Sequence, residues 1–197
     1  ELFTGNTLMT IGWFSGSIGA KGMLRNWVLV YIGNFAGSIF LAFLLAGATG
    51  LLDGAVGGKA IAIAYGKVTA EAGLLPHWAS FLARAVACNI LVTLAVLMAG
   101  SATTAGGKIL AVFFPIMAFV ASGFEHSVAN MYFLPAGIIA SGFDAAAVSS
   151  GIAPAQLAQL GWGSIWTGNL IVVTIGNIIG GGFFVGGLYY LIHKTAK

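Results

Sequence analysis

Two ionisable residues sit where the surrounding sequence tolerates few. Glu125 and His126 interrupt an otherwise apolar run from Lys108 to Ala140, inside Gly123-Phe-Glu-His-Ser-Val-Ala-Asn-Met131. In lipid such groups are expensive and are kept for ion or proton paths. An imidazole, with an ordinary pKa of about 6.5, exchanges a proton near neutral pH. A helix beginning near Ser127 aims free N–H groups and the positive end of its dipole back toward that histidine. This combination attracts a small anion and can hand it a proton; the plainer alternative is a hydrogen-bonded structural histidine. In an extended break Glu125 points away from His126. Its expected role is structural, accepting hydrogen bonds from loose backbone N–H groups.

A second short motif is Leu2-Phe-Thr-Gly-Asn6. Thr4 offers a hydroxyl and Gly5 a permissive backbone, so a break facing His126 would bring Thr4 to the imidazole or to a passing anion. Phe3, Phe119 and Phe124 are candidates for hydrophobic constrictions, which exclude hydrated ions by dewetting. Most of the 14 Phe residues must be ordinary packing. Asn34, Asn89, Asn130, Asn169 and Asn177 read as hydrogen-bonding glue between helices; Asn89 and Asn169 equally suit a polar patch. Lys67, ahead of a span, either draws anions into a vestibule or is simply solvated.

The elements that must hold these groups are membrane helices. Of the 197 residues 59% are hydrophobic and only 7% charged, against about a quarter charged in a soluble domain. That excludes an ordinary soluble domain, a nucleic-acid binder and a disordered chain. The single Cys88 excludes a disulfide framework and a thiolate metal cluster. His77, His126 and His193 lie at no ligand spacing, so neither metal nor cofactor is expected. A span needs about 20 apolar residues. Residues 26–46, 76–100 and 164–192 qualify; 108–140 is too long for one span and is broken at 122–127. Residues 7–18 make about half a span. The segments 48–75 and 141–163, rich in Gly, Ala and Ser, read as loops or interfacial pieces.

The chain also repeats itself. Asn26-Trp-Val-Leu-Val-Tyr-Ile-Gly-Asn-Phe-Ala-Gly37 matches Asn169-Leu-Ile-Val-Val-Thr-Ile-Gly-Asn-Ile-Ile-Gly180, and Glu1-x4-Asn6 matches Glu125-x4-Asn130. Each copy runs from a broken element to a Gly-Asn span. The two Gly-Asn spans are three crossings apart, which opposes their directions in the membrane. Inverted repeats of this kind place a transport site at the midplane, on broken helices. Lys21, Arg25, Lys108, Lys194 and Lys197 would share one side, and Lys59 and Lys67, with or without Arg84, and with Asp53, Glu71 and Asp144, the other. The richer side is cytoplasmic by the positive-inside rule, and the C-terminus with it.

Phe119-Val-Ala-Ser-Gly-Phe-Glu-His-Ser-Val-Ala-Asn-Met-Tyr-Phe133, with Leu2-Phe-Thr4 before it and Thr174-Ile-Gly-Asn-Ile-Ile-Gly-Gly-Gly182 after it, resembles the formate/nitrite transporter family over essentially the whole chain. The resemblance implies an all-α membrane protein: an aquaporin-like inverted-repeat helical bundle with two broken helices, six transmembrane helices in the complete fold, assembled as a homopentamer with one pore per protomer. It implies that Leu2, Phe3 and Thr4 form the first break, that His126 is the pore histidine, and that Phe119 and Phe3 line opposite constrictions. Asn89 matches the fourth-helix asparagine and Lys67 the vestibule lysine, though an apparent insertion separates them. Glu125, Ser127 and Asn130 would support the site. The first helix and half of the second are expected upstream of Glu1, leaving 1–47 as the end of the first repeat, 48–75 as a connecting loop and 76–197 as the second repeat of one channel domain.

The function so implied is passage of small monovalent anions across the inner membrane, formate first, linked to protons at His126 and without enzymatic chemistry. The partners are anions, protons, lipid and four further copies of the chain. Gly123-Phe-Glu-His followed by Met-Tyr-Phe-Leu-Pro135 looks more like formate members than nitrite members. The same fold selective for nitrite, hydrosulfide, lactate or acetate stands beside it, and a neutral-solute channel further off, since no paired Asn-Pro-Ala is present.

Overall fold

The computed structural model describes residues 2–69 and 76–195. Glu1, Glu71 and Lys197, which entered the repeat and charge readings, lie outside the described residues. Every regular element among the described residues is helical. A 3-10 turn (Gly5–Leu8) leads into α1 (Met9–Phe14), followed by α2 (Ala20–Phe43), α3 (Ala55–Thr69), α4 (His77–Ser101), α5 (Ala105–Ala121), α6 (Ser127–Ala140), α7 (Asp144–Ser150), α8 (Pro154–Leu157), α9 (Ile171–Asn177) and α10 (Leu188–Thr195). Among the described residues three helices are long and apolar enough to cross a membrane: Ala20–Ala46, His77–Ser101 and Trp166–Lys194. They overlap the three spans expected from composition, the second of which Arg84 and Asn89 interrupt. The broken stretch is also where expected: α5 ends at Ala121, five residues follow without helix, and α6 begins at Ser127.

The segment 48–75 corrects the expectation of a connecting loop. Its centre is α3, a helix of 15 residues with Gly57, Gly58, Ile61 and Ala64 buried. Gly, Ala and Ser suggest a loop when read as composition, yet in a membrane protein small residues let backbones approach. A Cβ on Gly137 of α6 would collide with Ala60 and Ala64 of α3, and one on Gly57 would collide with the Leu52 carbonyl. The segment 141–163 contains the short helices α7 and α8, and α7 turns 113° away from α6.

The chain divides into two compact units, each drawing on both halves of the sequence. One comprises Glu1–Tyr31, Phe81–His126 and Val173–Lys197; the other comprises Ile32–Ser80 and Ser127–Val172. In the first, the last helix widens to π geometry over Ile178–Gly187. Its glycines explain how it packs: side chains at Gly176 or Gly180 would strike Ala85 or Val86 of α4. The Thr10 hydroxyl of α1 donates to the Gly182 carbonyl in that stretch (2.9 Å). No residue of α5 is buried, and Ile109 (66%) and Val120 (63%) remain exposed. Such an apolar surface requires lipid or protein against it.

Candidate functional site

Both breaks lie in the first unit. In the earlier one, Leu2 and Phe3 are buried and Thr4 half-buried. Phe3 has φ +52°, a left-handed conformation rare for a bulky side chain. Its N–H donates to Asn6 Oδ1 (2.9 Å), and the Thr4 hydroxyl turns back to the Leu2 carbonyl (3.4 Å). Asn6 Nδ2 donates in turn to Asn26 Oδ1 on α2 (3.1 Å). Trp27 Nε1 donates to the Asn6 carbonyl (3.1 Å), with its ring edge-on to Phe3 at 6.0 Å.

The second break begins with a helix stop written in the sequence. Gly123 has φ +65°. Its N–H reaches the Val120 carbonyl (3.1 Å) and the Phe124 N–H reaches Phe119 (3.0 Å). That is the Schellman closure of α5, with glycine in its left-handed position. Beyond it Glu125 and His126 are buried. The Glu125 carbonyl accepts from Asn177 Nδ2 (2.9 Å), and the same amide donates to the Ala85 carbonyl of α4 (2.9 Å). One asparagine on α9 therefore ties the break to a neighbouring helix, the hydrogen-bonding role expected of it. The Phe119 and His126 rings face each other at 6.0 Å and 32°. His126 is the last residue before the first turn of α6, where free N–H groups gather.

Asn89, on α4, is fully buried with Thr7 and Thr93. The three close on Gly181, where a Cβ would strike all of them. Thr93 donates to Asn89 Oδ1 (3.5 Å), whereas Asn89 Nδ2 and the Thr7 hydroxyl have no hydrogen-bond partner among the described residues.

The remaining candidates belong to the second unit. Ser127 opens α6 and is buried. Asn130, one turn on, donates to Asn169 Oδ1 (2.7 Å), and Asn169 Nδ2 donates to the Lys67 carbonyl (3.1 Å). Lys67 thus stands in the last turn of α3, its main chain pinned by the residue that holds Asn130. His77 Nε2 meets the adjacent Gly168 carbonyl at 2.7 Å.

A profile of the formate/nitrite transporter family matches residues 1–191. The chain belongs to that family. It is 41% identical to a probable formate transporter of Methanothermobacter thermautotrophicus, over 96% of this chain and 67% of that protein. It is 37% identical to the formate channel FocA of Haemophilus influenzae, over 99% of this chain and 68% of that one. A solved pentameric formate channel with formate bound superposes with a TM-score of 0.77 and 38% identity, covering 90% of this chain and 69% of that one. The chain therefore spans about two thirds of the length of these relatives. Family membership and its apolar helices make it a multi-pass membrane protein of a transporter family.

Thr7 and Thr93 did not stand out beforehand, nor did the roles of Asn6, Asn26 and Trp27. The signal for the asparagines was present: Asn6 and Asn26 are the repeat counterparts of Asn130 and Asn169. Each pair is joined by one amide-to-amide hydrogen bond.

Proposed function

We propose that this protein passes small monovalent anions through a pore in each protomer of a homopentamer, with formate the first substrate and a proton exchanged at His126. The observation that carries the reading is the placing of a buried histidine against Phe119, immediately before a helix start, in a broken membrane segment. A positively polarised helix end attracts an anion. A ring of apolar side chains opposes its passage while it is charged. A carboxylate that takes a proton crosses as the neutral acid, whereas chloride is not neutralised this way. In this scheme Phe119 and Phe3 with Leu2 are the apolar constrictions, Thr4 and Asn89 hydrogen-bond the anion, and Lys67 concentrates it at the mouth. Glu125, Ser127 and Asn130 shape the second break. Transport is the whole activity, with no enzymatic step. The names borne by the relatives support formate over nitrite, hydrosulfide, lactate and acetate.

The protein resides in the inner membrane with its C-terminus in the cytoplasm. Charge supports this: Lys21, Arg25, Lys108, Lys194 and Lys197 are read on one side, against Lys59, Lys67 and Arg84, with Asp53, Glu71 and Asp144, on the other.

The test is anion flux in proteoliposomes holding the full-length protein, with and without an inward proton gradient. Formate uptake should rise with the gradient. His126→Phe should abolish the proton-linked part and leave the pentamer intact. Unchanged proton-coupled uptake in that variant removes His126 from the mechanism, and a clear preference for another anion replaces the substrate.

A further inference from the structure

We propose that Asn26, a residue of α2 set apart from the residues given pore roles, is the positioning residue of the first constriction: it holds Asn6, and Asn6 holds Phe3. The inference rests on the reading of Phe3 as a constriction and extends it to what fixes the aperture there.

Phe3 is where the backbone needs holding. A phenylalanine at φ +52° persists only when its surroundings over-determine it. Asn6 supplies that constraint with every polar group of its amide. Its Oδ1 accepts the Phe3 N–H, so its Nδ2 must face away from Phe3, and that nitrogen donates to Asn26 Oδ1. Flipping the Asn6 amide would set donor against donor at Phe3 and acceptor against acceptor at Asn26. Asn26 thereby selects the orientation in which Phe3 is bonded. Its chain neighbour Trp27 takes the Asn6 carbonyl and lays its ring edge-on to Phe3. Two consecutive residues of one helix grip one residue of the break, the first through its side chain and the second through its main chain.

The arrangement recurs in the other repeat. Asn130 occupies the position of Asn6 relative to its break, Asn169 the position of Asn26, and Asn130 Nδ2 donates to Asn169 Oδ1 at 2.7 Å. Donor and acceptor run in the same sense in both pairs. A bond that served only general adhesion between helices would have no reason to reappear with the same polarity at equivalent positions.

Loosening the clamp should widen the first constriction without touching the proton-exchanging residue. In proteoliposomes of the full-length protein, Asn26→Ala should raise the lactate-to-formate flux ratio by about threefold, the scale of one interhelical hydrogen bond in a membrane. The proton dependence of formate uptake should stay as in the parent. Asn26→Asp, which keeps an oxygen acceptor for Asn6, should restore the parental ratio. A second readout needs no transport. In a Cys88→Ser background, Thr4→Cys should react with a small thiol reagent about threefold faster when Asn26→Ala is added, on the same bond-loss scale. Should Asn26→Ala fail to assemble, Asn26→Ser carries both measurements. Parental flux ratio and parental reactivity together overturn the proposal, as does a failure of Asn26→Asp to restore either. If the parent carries no formate, it is the pore reading that falls, and thiol reactivity alone decides the clamp.

Discussion

The two breaks of the first unit solve one problem by opposite means. Both hold non-helical backbone directly before a helix start, 2–4 before the turn at Gly5 and 122–126 before α6, and free backbone groups are costly in lipid. The second break places glycine at the left-handed position: Gly123 closes α5 at φ +65° without strain, and Asn177 then anchors the following carbonyl. The first break places a phenylalanine there. A non-glycine residue in that conformation costs about 1–2 kcal/mol, and Asn6, Asn26 and Trp27 supply the bonds and contacts that hold it. The contrast teaches where side chains are indispensable. Gly123 has only to stop a helix, so any ring there would be dispensable. Position 3 carries a buried aromatic ring at φ +52°, and the strain there is held by those partners.

The sharpest way to break this comparison is at the anchor of the second break. Asn177→Leu keeps the bulk but removes both donors, to Glu125 and to Ala85. Two hydrogen bonds at about 1 kcal/mol each give a loss of about 2 kcal/mol. The effect should reach function, because the freed carbonyl belongs to the residue before His126. We expect a lower unfolding temperature and weaker proton dependence of uptake, with pentamers still forming. Parental proton dependence would show that His126 is positioned by α6 alone.

A smaller effect isolates backbone conformation. A Cβ on Gly123 meets nothing within 4 Å, so Gly123→Ala adds no clash and its cost is purely that of φ +65°. About 1 kcal/mol of destabilisation follows. Gly123→Asn, which tolerates the left-handed region better, should recover part of it. Equal losses for Ala and Asn would mean that the Schellman closure is not what sets the end of α5.

These particulars mark what was legible beforehand. Span positions were, because the length of an apolar run follows directly from the thickness of the bilayer. The second break was, because Gly123 and two ionisable residues interrupt such a run. α3 was not: its Gly57 and Gly58 make sense only against Leu52 and the residues of α7 that they touch, and composition alone gives small residues a loop. The asparagine pairs were half legible. The repeat showed that Asn6 and Asn26 correspond to Asn130 and Asn169, but partners 20 and 39 residues apart are paired by folding rather than by spacing. Thr7 and Thr93 carried no signal, since an isolated threonine in a membrane helix commonly bonds its own backbone.

That exception yields the mildest prediction, and one of opposite sign. Thr10 follows the rule: its hydroxyl lies 3.0 Å from the Thr7 carbonyl and 2.9 Å from that of Gly182. Thr7, one turn earlier and equally buried, has a hydroxyl with no partner among the described residues, and the Asn89 amide nitrogen likewise has none. Leaving a hydroxyl unpaired in a buried site costs about 1 kcal/mol or more, and an apolar group of the same shape removes that penalty. Thr7→Val should therefore raise the unfolding temperature, by up to about 1 kcal/mol of stability. One of the two orphaned donors belongs to Asn89, to which the proposed pore assigns a hydrogen bond with the anion, and the other lies beside it, so under that proposal a carboxylate is the acceptor they suit. Thr7→Val should accordingly lower formate flux while stabilising the protein, and Thr7→Ser should lie near the parent in both. A variant that loses stability instead would show that the hydroxyl is bonded in the assembled protein. The contrast with Thr10 would then disappear, and Thr7 would count as one more packing residue against the glycines of the last helix.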